Sequence, residues 1–173
     1  TYKGEIQEAP LTVVKDPRLK NTQDDFQKQF DFLMAVRDQV SEANMAVAKI
    51  RTLKKDMDYL KEKTGDYPEL QKRIASFESE LSVIENNIHM TKNQSRQDPL
   101  NYGIRINNRL AFLLADSQRG DYPPTDQSQE FFMEVKAELQ TELQALERLV
   151  TAEVDEINGL VKSAGVPLLS WGE

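Results

Sequence analysis

The chain's single histidine, His89, follows Glu85 by four residues, so the two side chains share one face if this segment is helical. They form the first candidate for metal or acid–base chemistry. A carboxylate-bridged di-iron bundle requires a Glu-x-x-His motif on each of two helices, together with two further glutamates. One histidine at the wrong spacing excludes that site, and we expect a surface Glu–His pair instead.

Other catalytic patterns are also missing from the sequence. A Ser-His-Asp arrangement would have to use His89, and no nucleophile elbow accompanies it. The chain has no cysteine and no glycine-rich phosphate loop. Its 29 acidic residues guarantee that some carboxylates lie close together, so no glycosidase pair can be singled out. We therefore predict no catalytic residue, no cofactor and no metal in this chain.

Asparagine interrupts several of the apolar helical stripes. Asparagine is a mediocre helix former, and at core positions it fixes helix register through paired amides. A polar ligand pocket between helices is the alternative, and we favour register. The residues concerned are Asn44, Asn107, Asn108 and Asn158.

Arginine supplies a second polar candidate. Arg105 and Arg109 are four residues apart and could form an anion site with Arg96. More commonly, such arginines bridge to acidic faces of neighbouring helices. The loop from Gly120 to Thr125 is a partner-recognition candidate, although a plain helix connection explains it equally well.

Four helices must position these residues. Residues 22–63 and 126–164 run about forty residues each without proline and with apolar residues at helical spacing. Thr22 with Asp25 predicts a capping box for the first helix, and Thr125 predicts the cap of the last. Two shorter helices begin at Asp66-Tyr67-Pro68, running to about residue 93, and at Asp98-Pro99, running to about Asp116, with Gly103 breaking or delaying the first turn of the latter.

This pattern predicts an all-α fold, an antiparallel up-down-up-down four-helix bundle with two long and two shorter helices. A short N-terminal β-like arm precedes it, because apolar residues alternate with polar ones before Asp16-Pro17. We place the end of a β-domain or a linker strand at residues 1–18, the bundle at 19–165 and a tail at 166–173.

In that arrangement the long helices extend past their shorter partners. Residues 22–36 and those beyond Val150 would form a two-helix stalk at one end. Aromatic residues are too frequent there for a bare helix pair, so we expect the N-terminal arm, the tail or a partner to cover them. The predicted interaction surface consists of Phe26, Phe30, Phe32, Leu33 and Trp171.

Composition narrows the function further. The net charge of −7 and the pI near 4.9 argue against nucleic-acid binding, which needs a basic surface. No run approaches the roughly 18 consecutive apolar residues of a membrane span. A structural or interaction module fits this composition.

Several short motifs resemble the C-terminal helical region of bacterial sortilin-like β-propeller proteins with BNR (Asp-box) repeats, often labelled glycosyl hydrolases. In that family an immunoglobulin-like β-domain ends in a similar strand before the helical region. The matching runs are Pro10-Leu11-Thr12-Val13-Val14-Lys15-Asp16-Pro17-Arg18, Gln97-Asp98-Pro99-Leu100-Asn101-Tyr102, Leu110-Ala111-Phe112-Leu113, Pro124-Thr125 and Glu156-Ile157-Asn158-Gly159-Leu160. The family more often has proline where this chain has Gly103.

The resemblance implies a non-catalytic accessory domain of a secreted or cell-envelope bacterial protein, whose parent could be a glycosidase. Upstream β-domains of the same polypeptide would be its partners. Homo-oligomerisation and a stand-alone coiled-coil-like interaction module stay open. Carbohydrate binding is a further alternative, with sugar rings stacking on Tyr102, Tyr122 or Trp171.

Overall fold

The computed structural model describes residue 4, residue 6 and residues 8–165. Within these residues the regular secondary structure is helical, without a strand. The helices are α1 (Gln23–Lys63), α2 (Pro68–Ile88), α3 (Pro99–Tyr102), α4 (Ile106–Ser117) and α5 (Asp126–Ser163). The predicted all-α class is confirmed, whereas the predicted N-terminal β-like arm is not shown, since its described residues form no strand.

Helix boundaries follow the caps that the sequence contains. The Thr22 hydroxyl accepts a hydrogen bond from the backbone N–H of Asp25 at 3.2 Å, and the Asp25 carboxylate accepts one from the backbone N–H of Thr22 at 2.8 Å. This is the predicted capping box. The Thr125 hydroxyl caps α5, while Pro68 and Pro99 occupy first helical positions, where a missing N–H costs nothing.

The predicted third helix is divided in two. Gly103 adopts a φ of +76°, a left-handed conformation that ends α3 after one turn. A new helix, α4, then begins at Ile106. Helix α2 also ends earlier than predicted, at Ile88, because the backbone of His89 is extended.

Ion pairs between α1 and α2 establish that these helices are antiparallel. Glu85, near the end of α2, binds Arg51 at 2.8 Å and Lys54 at 2.6 Å. Glu78, earlier in α2, binds Lys61, which lies later in α1. Later residues of one helix therefore meet earlier residues of the other.

Helix α5 is antiparallel to α2 and consequently parallel to α1. Arg73 of α2 pairs with Glu153 of α5, whereas the later Asn87 donates to the earlier Glu142 at 3.1 Å. Contacts between α1 and α5 agree with this. The amide of Gln140 donates to Glu42 at 3.3 Å, and the rings of Phe32 and Phe132 meet edge to face with centroids 5.5 Å apart.

Helix α4 runs in the same direction as α2. The amide of Gln29, near the start of α1, donates to the carbonyls of Ser117 and Gly120 just at and beyond the end of α4. The side chains of His89 and Asn107 meet at 2.9 Å where α2 gives way to α4. Helices α2 and α4 thus follow one another along the bundle and form one interrupted rod.

The predicted up-down-up-down order therefore differs from the observed up-down-down-up order. Two short helices in series, of 21 and 12 residues, approach the length of α1 with its 41. Because α4 continues along the bundle where α2 ends, the apolar faces of α1 and α5 have a neighbouring helix near both of their ends. The core runs through the whole bundle, with Val36, Phe77, Leu110, Val135 and Val161 almost completely buried.

The predicted two-helix stalk is wrong for the same reason. Helix α4 packs along the first part of α1, and the part of α5 beyond Val150 packs beside α2 at the opposite end of the bundle. Phe32 packs against the core, while Phe26 and Leu33 are partly buried. Leu11 and Val13 of the N-terminal segment are exposed, so these two side chains do not cover the aromatic residues.

Candidate functional site

Glu85 and His89 do not form the predicted surface pair. The Glu85 carboxylate is buried between α1 and α2, where it binds Arg51 and Lys54. Burial raises the pKa of this carboxyl, but hydrogen bonds and charges from Lys54 and Arg51 outweigh burial and bring the pKa below its ordinary value of 4.5. His89 instead meets Asn107, so the two residues have separate structural roles.

The asparagines occupy different environments. Asn44 is exposed, which is incompatible with its predicted place in the core. Asn107 meets a histidine rather than another amide, and Asn108 accepts the backbone N–H of Arg105 at 3.4 Å at the start of α4. Asn158 is partly buried in α5. A register role for Asn107, Asn108 and Asn158 stays a prediction.

The predicted interaction residues are spread over different environments. Phe30 is 57% exposed, whereas Phe26, Phe32 and Leu33 are partly buried in the bundle. Trp171 lies outside the described residues. Phe30 is thus the one described member of this set with most of its ring surface open.

A polar pocket forms at the junction between α2 and α4, on the side that faces α5. Its volume is about 310 Å³. Two arginines come from the start of α4 and two glutamates from α5. The lining residues are Asn87, Ile104, Arg105, Ile106, Arg109, Glu138, Thr141 and Glu142.

One half of this pocket is an ion pair with both charges matched. Arg109 binds the Glu138 carboxylate through both terminal guanidinium nitrogens. The hydrogen bond from Arg109 lowers the pKa of Glu138, and the same bond raises the pKa of Arg109. This pair is the bridge to a neighbouring acidic helix that the arginine spacing predicted as the alternative to an anion site.

The other half of the pocket has charges without ionic partners. Within the described chain, the Arg105 side chain makes no hydrogen bond or ion pair, and its Nε atom is buried. Glu142 accepts a hydrogen bond from the Asn87 amide at 3.1 Å but has no cation within ion-pair distance among the described residues. Arg96, the third arginine of the predicted anion site, is exposed and does not line the pocket.

Sequence reasoning identified the two arginines but missed the two glutamates. Arg105 and Arg109 are four residues apart, as are Glu138 and Glu142, and antiparallel helices place such sets opposite each other. This matched spacing was the available signal. It could not be used without the direction of α4 relative to α5.

A second groove lies between α2 and α5, with a volume of about 700 Å³. Its central cation, Arg73, is already bound to Glu153 and Glu156. The side chains of Lys72 and Ser76 form part of its rim. Its charged residues without an ion pair in the described chain, Glu69 and Lys72, are both exposed to solvent, whereas Arg105 and Glu142 of the junction pocket are partly buried.

No group of three or more histidine, aspartate or glutamate side chains in the described part of the chain is arranged to hold a metal ion. Among the same residues, no helix combines the length and the apolar character that crossing a membrane would require. Comparison with known proteins adds no relative: no family model, no curated protein and no solved structure matches this chain.

Proposed function

We propose that this chain is a non-catalytic structural or interaction module, the C-terminal accessory domain of a secreted or envelope-associated bacterial β-propeller protein of the glycosyl-hydrolase-like type. It packs against the β-domain that precedes it. The short motifs described above support the family, and the N-terminal segment supports the mode of attachment.

The observation that carries the proposal is the exposure of this N-terminal segment. Leu11, Val13 and Val14 are 88%, 89% and 78% exposed, although β-branched and leucine side chains normally find apolar neighbours. The described residues of this segment form neither a helix nor a strand. An exposed apolar segment of this kind is completed by pairing with a sheet edge, as the last strand of an upstream β-domain would be.

The connection from this segment to the bundle contains several local hydrogen bonds at the protein surface. The Asp16 carboxylate binds Arg18, and the backbone carbonyl of Asp16 accepts the N–H of Leu19 at 3.1 Å. The ammonium group of Lys15 donates to the Asn21 carbonyl at 2.7 Å, directly before the α1 capping box. These contacts order the turn between Lys15 and the α1 cap, which supports a defined connection of the kind that a structural accessory domain requires.

Limited trypsin digestion of the full polypeptide that contains this chain tests the proposal. We expect the bond after Lys15 to resist cleavage, because a strand paired within a sheet is not available to a protease. The double variant L11D/V13D should expose it, since both side chains lie on one face of the strand. Thr12→Asp, on the opposite face, is the matched control and should keep the protection.

Rapid cleavage after Lys15 in the unaltered polypeptide would contradict the proposal. The upstream reading frame gives an independent check. Asp-box repeats and a β-domain directly before Thr1 would support the assignment, whereas an initiator methionine directly before Thr1 would refute it.

Glycan binding is the second candidate, and it rests on two half-exposed tyrosines. Tyr102 and Tyr122 are 46% and 51% exposed. They lie before and after α4, a helix about 18 Å long, so they cannot stack on one sugar ring together. Binding on a glycan array that is lost in both Tyr102→Ala and Tyr122→Ala would favour this candidate over a purely structural role.

A further inference from the structure

The junction pocket has an arrangement of charge that the proposed accessory role does not use. Arg109 and Glu138 form a closed pair, as described above. Because α4 and α5 are antiparallel, Arg105 and Glu142, each one helical turn away from that pair, come level with each other across the pocket. Both line the pocket, yet they do not meet within ion-pair distance.

The pocket therefore has one open positive end and one open negative end. At the positive end, the Arg105 guanidinium is joined by the N-terminus of α4, whose free backbone N–H groups also favour an anionic group. At the negative end, Glu142 keeps the lone pairs that the Asn87 amide does not use. The neutral Arg109–Glu138 pair lines the pocket one helical turn away from both ends.

The wall next to Arg105 is apolar. Ile104 and Ile106 flank the arginine, and both line the pocket. A ligand that satisfies all three regions has a carboxylate, an ammonium group and an aliphatic side chain. We propose that this pocket binds a free α-amino acid with an aliphatic side chain, its carboxylate at Arg105 and its ammonium group at Glu142.

The pocket volume agrees with a ligand of this size. A cavity of about 310 Å³ is at the lower end of small-molecule sites, which begin near 300 Å³. Arg105 forms no ion pair with a described residue, so an anionic group can bind its terminal guanidinium nitrogens without displacing a protein carboxylate.

Isothermal titration calorimetry on the unaltered chain tests the proposal with three probes. L-leucine carries both charges, N-acetyl-L-leucine lacks the ammonium group and L-leucinamide lacks the carboxylate. We expect L-leucine to bind and each blocked derivative to bind at least tenfold more weakly. No binding of L-leucine at millimolar concentration would overturn the proposal, as would equal affinity for N-acetyl-L-leucine, which would indicate a simple anion site.

Charge-removing variants locate the site. Arg105→Gln and Glu142→Gln should each weaken L-leucine binding at least tenfold. Arg148→Gln, an exposed arginine elsewhere on α5, is the matched control and should bind as the unaltered chain does. Unchanged affinity in both pocket variants would overturn the assignment to this pocket. The probe series needs no variant, so it remains decisive if a variant folds poorly.

Discussion

Replacing Glu85 by glutamine removes one negative charge from the contact between α1 and α2 while keeping the size of the side chain. Glu85 accepts hydrogen bonds from Arg51 at 2.8 Å and Lys54 at 2.6 Å, and the carboxylate is buried. Glutamine retains one acceptor oxygen but no charge. The substitution therefore tests whether this ion-pair cluster stabilises the bundle.

The size of the effect follows from the exposure of the partners. Hydrogen bonds to charged groups contribute about 1.5–3 kcal/mol, but exposed ion pairs contribute about 0–1 kcal/mol. The Arg51 side chain is 56% exposed and can return to water, whereas that of Lys54 is 24% exposed. We expect Glu85→Gln to lower the free energy of unfolding by about 2 kcal/mol, which corresponds to a Tm lower by roughly 4–8 °C for a chain of this size.

The pH dependence supplies a second signature. The pKa of Glu85 in the folded protein lies below its ordinary value of 4.5. A depressed carboxyl pKa contributes stability that is present above 4.5 and is lost as the pH falls through the folded-state pKa. The difference between the unaltered protein and Glu85→Gln should therefore be full at pH 7 and should shrink below pH 4.5.

Urea unfolding followed by circular dichroism measures both quantities. Glu62→Gln removes an exposed glutamate from α1, the helix that also carries Arg51 and Lys54, and is the matched control. Its free energy of unfolding should change by no more than about 0.5 kcal/mol. Equal stability of Glu85→Gln and the unaltered protein at pH 7 would refute the reasoning. So would a difference that stays constant as the carboxylate protonates.

Three further predictions concern the core, two glycines and the loop of residues 94–98 before α3. Phe132→Ala should destabilise the protein by about 3–5 kcal/mol in urea unfolding, whereas Phe112→Ala, at a 66% exposed position, should change it by less than about 0.5 kcal/mol; similar losses would contradict the packing described. Gly103→Ala should lower the free energy of unfolding by about 1 kcal/mol, because the φ of Gly103 is +76°. Gly159→Ala, inside α5 with open space around a new Cβ, should raise it by up to about 1 kcal/mol in the same assay. A change of the same sign in both variants would be inconsistent with these backbone conformations. Hydrogen bonds from Ser95 and Gln94 lower the pKa of the Asp98 carboxyl. Protonation of this carboxyl weakens these bonds, so hydrogen exchange of the backbone N–H groups of residues 94 and 95 should accelerate, relative to intrinsic rates, as the pH falls below 3.8. Unchanged protection of these N–H groups would argue against this loop structure.

The sequence predicted individual elements well because the signals for them are local. Thr22 with Asp25 and the proline starts of α2 and α3 depend on contacts within one helical turn, and all of them appear in the structure. The division of the third helix at Gly103 was foreseen as an interruption. This interruption could be predicted from the residue type alone, because glycine is the residue that adopts a positive φ freely.

Helix order could not be predicted in the same way. Periodicity identifies the apolar face of a helix but not the direction in which the helix runs relative to distant segments. The long connection from His89 to Arg105 permits either a reversal or a continuation along the bundle. Non-local ion pairs such as Arg73–Glu153 and Arg109–Glu138 distinguish these arrangements, and only the folded chain displays them.

The junction pocket depends on the same missing information. Its arginines lie at the N-cap and in the first turn of α4, and its glutamates lie in α5, about 30 residues further along the chain. The predicted alternating order also placed Phe26 and Phe32 on a bare stalk, because it moved α4 away from them. The wrongly predicted direction of α4 thus accounts for both the missed glutamates and the wrongly predicted stalk.

The direction of α5 relative to α1 is best measured with spin labels, which this cysteine-free chain accepts at chosen sites. The exposed residues Glu62 and Lys162, each replaced by cysteine and labelled, lie near the C-terminal ends of α1 and α5. Parallel helices place both labels at the same end of the bundle, and double electron–electron resonance should give a separation of roughly 20–30 Å. A separation of roughly 55 Å, the length of α5 at about 1.5 Å per residue, would show the helices to be antiparallel and would contradict the fold on which the pocket depends.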